Sequence, residues 1–135
     1  MVAFLGLCCV NINYRLGIFG FLAHPRLSAE DCEASGNYAI LDQIQALHWL
    51  QRNIACFGGD EENVTIWGLS SGAQYVCNLL VIPRAQGLFH RAVVQSCSDL
   101  NNVRQLRGTS KIWPQTAEEL GESLCQELFI HAANV

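Results

Sequence analysis

A serine between two glycines, in the run GLSSG, constrains the fold of this chain more than any other feature. A β-branched run comes directly before it, and an apolar helical pattern follows directly after it. A serine on such a strand-to-helix turn has a strained backbone, so the positions two before and two after it must carry almost no side chain. Gly68 and Gly72 meet that requirement. The sequence therefore predicts a strand at 64–68, a sharp turn at Ser70 and a helix at 71–82.

The turn also gives Ser70 a possible chemical role. A strained turn at the edge of a sheet lifts the serine hydroxyl away from the backbone, where it can attack a carbonyl carbon. The next backbone N–H, that of Ser71, points to where negative charge would develop on the carbonyl oxygen, and the N–H of Ala73 is a further candidate donor. Ser70 is therefore the candidate nucleophile, and Ser71 contributes its N–H. An ordinary Ser-Gly surface turn is the alternative that the local pattern leaves open.

Hydrophobic periodicity predicts the same alternation of elements along the rest of the chain. The predicted elements are strands near 2–13, 64–68 and 91–95, helices near 37–56, 71–82 and 115–129, and polar loops at 24–36 and 97–113. Strands that alternate with helices form a parallel sheet covered by helices on both faces. The predicted fold class is therefore α/β, and 135 residues are enough for one domain.

The last predicted helix carries its own start signal and one apolar stripe. Thr116 and Glu119 have the spacing of a capping box. Leu120, Leu124 and Leu128 recur at steps of four residues and define the stripe.

Residues 2–10 form an apolar run without a charge. Such a run is typical of a parallel strand with helices on both faces, so we expect a buried central strand. A signal peptide is the alternative, although no cationic residue precedes the run and no small-residue cleavage pattern follows it. As a helix, the run is too short to span a bilayer.

Charge and cysteine content argue against several classes of protein. Eight basic and 12 acidic residues give a net charge of −4 without a basic stripe, so we expect no nucleic-acid partner. Seven cysteines without a C-x-x-C spacing indicate neither a zinc site nor a closed disulfide framework. We expect most of them to be buried small hydrophobic residues.

Several segments together resemble the type-B carboxylesterases, the family that also contains the cholinesterases and neuroligin-like proteins. Residues 57–60 (FGGD) and 64–72 (VTIWGLSSG) resemble the active-serine signature of that family. Residues 11–17 (NINYRLG) and 36–50 (GNYAILDQIQALHWL) resemble two of its upstream segments, and 87–96 (GLFHRAVVQS) resembles a downstream one.

The resemblance implies an α/β-hydrolase fold and a serine hydrolase that cleaves a small-molecule carboxylic ester through an acyl intermediate on Ser70. It implies no metal or cofactor. Members of this family are several times longer, so we expect residues 1–135 to be a fragment of a single α/β-hydrolase catalytic domain. The family's catalytic acid, catalytic histidine and upstream His-Gly-Gly segment lie outside the matched segments, so we expect the fragment to be inactive alone.

The four histidines do not fit the family's catalytic base. His90 matches a non-catalytic position of the GLFHRA segment, and His131 follows the last predicted helix. His24 and His48 precede the serine, whereas the order in this fold is serine, acid, histidine. We interpret all four as surface or packing residues.

The resemblance also includes two charged residues, and the sequence departs from the family pattern at two positions. The family residues that match Arg15 and Asp42 pair with each other inside the fold, so the resemblance implies a structural salt bridge. Leu69 stands where the family most often has glutamate, which favours neutral esters over choline esters as substrates. Cys97 stands where the family usually has glycine.

Two alternatives to a working esterase stay open. One is a non-catalytic, neuroligin-like binding module, although those relatives usually lack the serine that this chain keeps. The other is a truncated gene remnant with the esterase signature intact. Neither an oligomeric state nor a compartment, cytoplasmic or secreted, follows from these motifs.

Overall fold

The computed structural model describes residues 2–4, 6–30, 34–97, 104–108 and 112–128, and for 2–4 it describes the backbone alone. The elements in chain order are β1 (Val2–Phe4), β2 (Leu7–Cys9), α1 (Gly17–Phe21), α2 (Pro25–Glu30), α3 (Tyr38–Asn53), β3 (Thr65–Leu69), α4 (Ser71–Val81), β4 (Arg91–Gln95) and α5 (Ala117–Glu127). Short 3₁₀ turns occur at Ile54–Phe57, Glu61–Asn63 and Pro83–Ala85. By their contacts the residues form two compact units, one of Met1–Tyr14 with Ile40–Asn101 and one of Arg15–Ala39 with Asn102–Val135.

The first unit contains a parallel pair of strands joined by a helix. β3 and β4 run in register from Thr65 opposite Arg91 to Leu69 opposite Gln95. Parallel strands need a crossover connection, and α4 provides it. The predicted strand, helix and strand at 64–68, 71–82 and 91–95 are therefore confirmed, with the first strand displaced by one residue.

The core of this unit lies between α3, α4 and one face of the sheet. Its buried residues are Ile40, Ile44, Leu47, Leu79 and Ala85, and partly buried Ile66, Tyr75, Ile82, Leu88 and Phe89 pack against them. The three α3 residues recur at helical spacing on one face, and burial of each aliphatic side chain contributes about 1.5 to 3 kcal/mol. Gly58, at φ 78°, ends the 3₁₀ turn that extends α3. The predicted helix at 37–56 is confirmed.

The apolar opening segment is not the single buried strand that its sequence predicts. β1 and β2 form an antiparallel hairpin in which Val2 pairs with Cys9 and Phe4 with Leu7. Gly6 makes the turn at φ 76°, a left-handed conformation that glycine adopts without steric cost. Leu7 is 66% exposed, and residues 10–13 have no strand assignment. The prediction of one strand at 2–13 is therefore wrong, because the glycine inside the run reverses the chain.

The second unit contains α1, α2 and α5. The prediction of a loop across 24–36 is wrong, because α2 occupies Pro25–Glu30. Proline at the first helical position has its φ already set for a helix. The Nδ1 atom of His24 accepts a hydrogen bond from the N–H of Arg26 at 3.2 Å. This bond satisfies one of the backbone N–H groups that have no acceptor inside the helix at the start of α2.

The start of α5 is confirmed, and the buried side of the helix is not the leucine stripe. The Thr116 hydroxyl accepts from the N–H of Glu119 at 3.4 Å, and the Glu119 carboxylate accepts from the N–H of Thr116 at 2.7 Å. Leu120 and Leu128 are 45% and 53% exposed, and Leu124 is half-buried. Gly121 is buried instead, and a side chain there would collide with the carbonyl of Ala23. This close approach leaves Leu120 and Leu128 on the outer side of the helix.

A buried polar network that the sequence analysis missed ties α2 to α5. Ser28 is fully buried, and its hydroxyl donates to Oε1 of Glu118 at 2.6 Å. The hydroxyls of Ser28 and Ser35 are 2.6 Å apart, and Arg107 Nε lies 2.9 and 2.8 Å from the two Glu118 oxygens. The hydrogen bond from Arg107 lowers the pKa of Glu118, burial opposes this, and the bond from Ser28 adds to the lowering. The network holds Glu118 in its charged form.

We expect Glu118→Gln to destabilise the protein by roughly 1 to 2 kcal/mol at neutral pH, because it weakens charge-assisted hydrogen bonds while half-exposed Arg107 regains water. Since the pKa of Glu118 is lowered by folding, its stabilisation is complete above the pKa of the unfolded carboxyl and is lost as pH falls through the lower folded pKa. Thermal unfolding should show a difference between wild type and variant that shrinks as pH falls through this range. Glu122→Gln, at an exposed position of α5, is the control, and a difference that stays constant with pH would contradict the assignment.

The cysteines depart from their predicted burial. Cys9 and Cys56 are exposed, and the other four described cysteines, namely Cys8, Cys77, Cys97 and Cys125, are half-buried. Cys32 lies outside the described residues. The prediction that most cysteines are buried is therefore wrong for the described part of the chain. Within the same residues, every helix is too short or too polar to cross a membrane.

Candidate active site at a strand-to-helix turn

Ser70 is the single residue between β3 and α4. Its backbone has φ 55° and ψ −118°, a combination that residues with a side chain rarely adopt. Among the described residues, Ser96 is the other non-glycine residue with a positive φ, at 53°. Strain of this kind costs about 1 to 3 kcal/mol and persists only where the surrounding structure enforces it.

Backbone hydrogen bonds on both sides enforce the turn. The N–H of Ser70 donates to the carbonyl of Gln95 at 3.0 Å, which continues the pairing between β3 and β4 by one residue. The carbonyl of Ser70 accepts from the N–H groups of Ala73 and Gln74 at 2.9 and 3.2 Å, which begins the helix. The Ser70 side chain makes no capping bond to the helix and is exposed. The backbone is thus fixed while the hydroxyl projects outward.

The two glycines of the turn have different surroundings. A Cβ atom added to Gly68 would collide with the carbonyl of Gly72 and would lie 2.8 Å from the nitrogen of Ala73. A Cβ atom added to Gly72 would meet nothing within 4 Å among the described residues. The steric requirement that the sequence suggests for both positions therefore applies to Gly68 within this structure.

The start of α4 offers one candidate donor for an oxyanion. Ser71 is the first residue of the helix, and the N–H groups of a first helical turn have no acceptor inside the helix. The N–H of Ala73, the second candidate, already donates to the carbonyl of Ser70. The partial positive charge at a helix N-terminus adds to the field in front of Ser71.

A cavity of about 300 Å³ adjoins the turn. Gly72 and Tyr75 of α4, Trp67 of β3 and Gln43 of α3 contribute to its wall. Gln43 is 4% exposed, and its Nε2 has no hydrogen-bond partner among the described residues. Burial raises the pKa of Tyr75, and the neighbouring Tyr14, whose ring centroid is 5.4 Å away, raises it further. Gly72, beside which an added Cβ atom would find open space, thus lies in the wall of this cavity.

His90, the one described histidine that follows Ser70 in the chain, is not placed to act on it. His90 lies beside the opposite end of β3, where its Nδ1 accepts from the N–H of Val64 at 3.2 Å. Ser70 comes six positions after Val64 along extended chain, a distance of roughly 20 Å at about 3.3 Å per residue. His48 is exposed on α3, and His131 lies outside the described residues.

The Nε2 atom of His90 is 3.9 Å from a carboxylate oxygen of Glu62, so this histidine has an acidic neighbour at the surface. Its hydrogen bond to Val64 fixes the start of β3. This position is consistent with the structural role expected from the sequence.

The salt bridge between Arg15 and Asp42 stays a prediction. The guanidinium carbon of Arg15 lies 5.2 Å from the centre of the Tyr38 ring, a cation–π contact. Among the described residues, no group of three or more His, Cys, Asp or Glu side chains is arranged to hold a metal ion.

Gln95 at the end of β4 and Cys97 just after it contact the elements of the turn, which the sequence analysis missed. Gln95 accepts from the backbone of Ser70, and its Oε1 accepts from Trp67 Nε1 at 3.1 Å. The Sγ atoms of Cys77 and Cys97 are 4.0 Å apart. The sequence shows that Cys97 replaces the glycine usual in the family. The spacing along the chain does not show that Cys77 of α4 is its neighbour in space.

Residues 1–128 match the family model of the carboxylesterase family. The chain is 43% identical over 119 residues to a probable N-octanoylanthranilate hydrolase, AqdA2, of Rhodococcus erythropolis, a match that covers 86% of this chain and 24% of that protein. It is 48% identical over 96 residues to Neuroligin-2 of Mus musculus, which covers 71% of this chain and 11% of that protein.

A solved structure of a thermophilic PNB esterase superposes on this chain with a TM-score of 0.69 and 38% sequence identity. The match covers 90% of this chain and 23% of the esterase chain. This chain therefore spans less than a quarter of the length of these relatives and of this solved structure.

Proposed function

Because this chain belongs to the carboxylesterase family and forms part of an α/β-hydrolase fold, we propose that Ser70 is the nucleophile of a carboxylic-ester hydrolase. At family level the chain is a carboxylesterase. Beyond this family-level activity, we propose which residue attacks the ester, which backbone N–H stabilises the oxyanion and which kind of ester is cleaved. The activity is that of the full-length protein, of which residues 1–135 are proposed to form one fragment of the catalytic domain.

The strained backbone of Ser70, held by the hydrogen bond to Gln95 on one side and by α4 on the other, is the observation that supports this proposal most. In a surface Ser-Gly turn the glycine, which adopts a positive φ without steric cost, would take that conformation in place of the serine. The same strain keeps the hydroxyl exposed and clear of the helix.

In the proposed reaction the Ser70 oxygen attacks the ester carbonyl carbon, and a tetrahedral intermediate forms with negative charge on the former carbonyl oxygen. The Ser71 N–H stabilises that charge, and loss of one such donor costs about 10²- to 10³-fold in rate. The alcohol then leaves, an acyl-serine remains, and water releases the acid. No step requires a metal or a cofactor.

The base and acid that activate Ser70 are proposed to come from segments of the full-length protein outside this chain. A serine hydroxyl is a weak nucleophile until a histidine accepts its proton and a carboxylate orients that histidine. The position of His90 at the far end of β3 supports this proposal. Further oxyanion donors are proposed to come from outside the chain as well.

Neutral esters are the proposed substrate class. The residue before the nucleophile, Leu69, is 59% exposed, and exposed Trp67 precedes it by two positions on the same face of β3. Neither side chain carries a charge, and their apolar surface suits an apolar group of a small ester.

A non-catalytic binding module is the second candidate, supported by the match to Neuroligin-2. Labelling with a serine-directed fluorophosphonate separates the two functions, because the reagent forms a bond only with an activated serine. We expect the full-length protein to be labelled on the peptide that contains Ser70 and the variant Ser70→Ala to stay unlabelled. A folded full-length protein that resists labelling would favour the binding module.

A further inference from the structure

Cys77 and Cys97 lie side by side although 20 residues separate them in the sequence. Cys77 is on α4, the helix that begins at the Ser70 turn, and Cys97 follows the last residues of β4. α4 packs against both strands of the pair, which brings the two thiols together inside the first unit. Their sulfur atoms are 4.0 Å apart, close to van der Waals contact.

From this geometry we propose that the thiols of Cys77 and Cys97 are oxidised to a reversible disulfide when the protein is exposed to a small-molecule disulfide. A disulfide has its sulfur atoms about 2.05 Å apart, so the two must approach by about 2 Å. Rotation of each side chain about its Cα–Cβ bond can supply such a movement. Both residues are half-buried, so they remain accessible to a small reagent.

The backbone around Cys97 favours the pairing. Ser96 has a positive φ of 53°, which turns the chain immediately after β4. Cys97, the next residue, then lies next to α4 rather than farther along the strand direction. A strained non-glycine residue directly before one member of the pair indicates that the surrounding structure enforces this path.

The oxidant would be a small-molecule disulfide such as oxidised glutathione. One protein thiolate attacks a sulfur of this disulfide, its S–S bond breaks, and the first small thiolate leaves as a mixed disulfide forms. The second protein thiolate attacks the protein sulfur of the mixed disulfide and releases the second small thiolate. The two protein thiols are thereby oxidised, the small disulfide is reduced to two thiols, and the two protons pass to the departing thiolates.

The bond would tie the elements that hold Ser70. It would close a ring from Cys77 to Cys97 that includes β4, whose Gln95 carbonyl accepts from the Ser70 N–H. A cross-link inside the native fold restricts the unfolded chain, so the oxidised protein should unfold at a temperature several degrees higher than the reduced protein. Addition of dithiothreitol should reverse the shift.

The test is non-reducing peptide mapping of the full-length protein after treatment with oxidised glutathione and alkylation of remaining thiols. Trypsin cleavage after arginine places Cys77 in the peptide 53–84 and Cys97 in the peptide 92–104. We expect these two peptides to be joined. The peptide 53–84 also contains exposed Cys56, so the variant Cys56→Ser is the matched control and should keep the cross-link.

Cys77→Ser and Cys97→Ser should each abolish the cross-link and leave the other cysteine alkylated or carrying glutathione. Far-ultraviolet circular dichroism shows whether each variant is folded, and Cys77→Ala is a second variant for the helical position. Alkylation of both cysteines in the oxidant-treated, folded wild type would overturn the proposal. A cross-link that disappears in Cys56→Ser would overturn it as well.

Discussion

Ser70→Ala should lower ester hydrolysis by the full-length protein by about 10⁴- to 10⁶-fold in kcat, because removal of the nucleophile stops acylation. The residual rate would come from the remaining oxyanion donors and from substrate binding. Hydrolysis of a neutral p-nitrophenyl ester, followed by release of p-nitrophenol, measures the loss. The thermal midpoint should change little, since the Ser70 side chain is exposed and makes no capping hydrogen bond.

Ser71→Ala is the matched comparison for this experiment, because it removes a neighbouring exposed hydroxyl and keeps the backbone N–H. We expect its rate to stay within a few-fold of the wild type. Equal losses in the two variants would argue for a general disturbance of the turn. Retained activity in Ser70→Ala, with loss of activity in Ser71→Ala, would show that our proposal assigns the nucleophile to the wrong serine.

Gly68→Ala should lower both stability and activity, although it adds a single methyl group. The added Cβ would overlap the carbonyl of Gly72 and crowd the nitrogen of Ala73, and both are backbone atoms that cannot rotate away. Overpacking against a fixed backbone typically costs about 1 to 3 kcal/mol, occasionally more. The start of α4 would have to move, and a shift of about 1 Å near a reacting group costs about 10²-fold in rate. Thermal unfolding and ester hydrolysis measure the two effects.

Thr65→Ala is the control for Gly68→Ala, because it introduces the same residue at an exposed position of the same strand. It should change both quantities far less. Gly72→Ala gives separate information, since the described residues leave open space in the adjoining cavity. A neutral result would show that this space stays open in the full-length protein, and a large loss would show that another segment fills it. Wild-type stability and activity in Gly68→Ala would contradict the packing described for the turn.

The elements around Ser70 could be predicted from sequence because each carries a local signal. A β-branched run, a glycine-flanked serine and a closing proline are all within 20 residues, and their preferences agree with the structure. The capping box at Thr116 and Glu119 is local as well, since both hydrogen bonds span three residues. Local signals of this kind do not depend on what lies elsewhere in the chain.

The remaining features depend on contacts that periodicity cannot reveal. The leucine stripe of α5 is apolar, but the close approach of Gly121 to Ala23 decides which face is buried. The apolar opening run has the composition of a central strand, but Gly6 reverses it into a hairpin. Cys77 and Cys97, like Ser28 and Glu118, are neighbours in space and far apart in sequence. An amphipathic pattern indicates that a residue is buried without indicating its partner.

The bond between Ser28 and Glu118 spans 90 residues, which affects the order in which the chain acquires structure during translation. A ribosome adds about 5 to 20 residues per second, so α2 emerges on the order of 5 to 20 s before its partner in α5 exists. Throughout that interval the hydroxyl that becomes fully buried is exposed to water, and the short helix α2 has no tertiary contact with α5 to stabilise it. We therefore expect the second unit to fold late, after α5 has been synthesised, whereas β3, α4 and β4 are made in one continuous stretch.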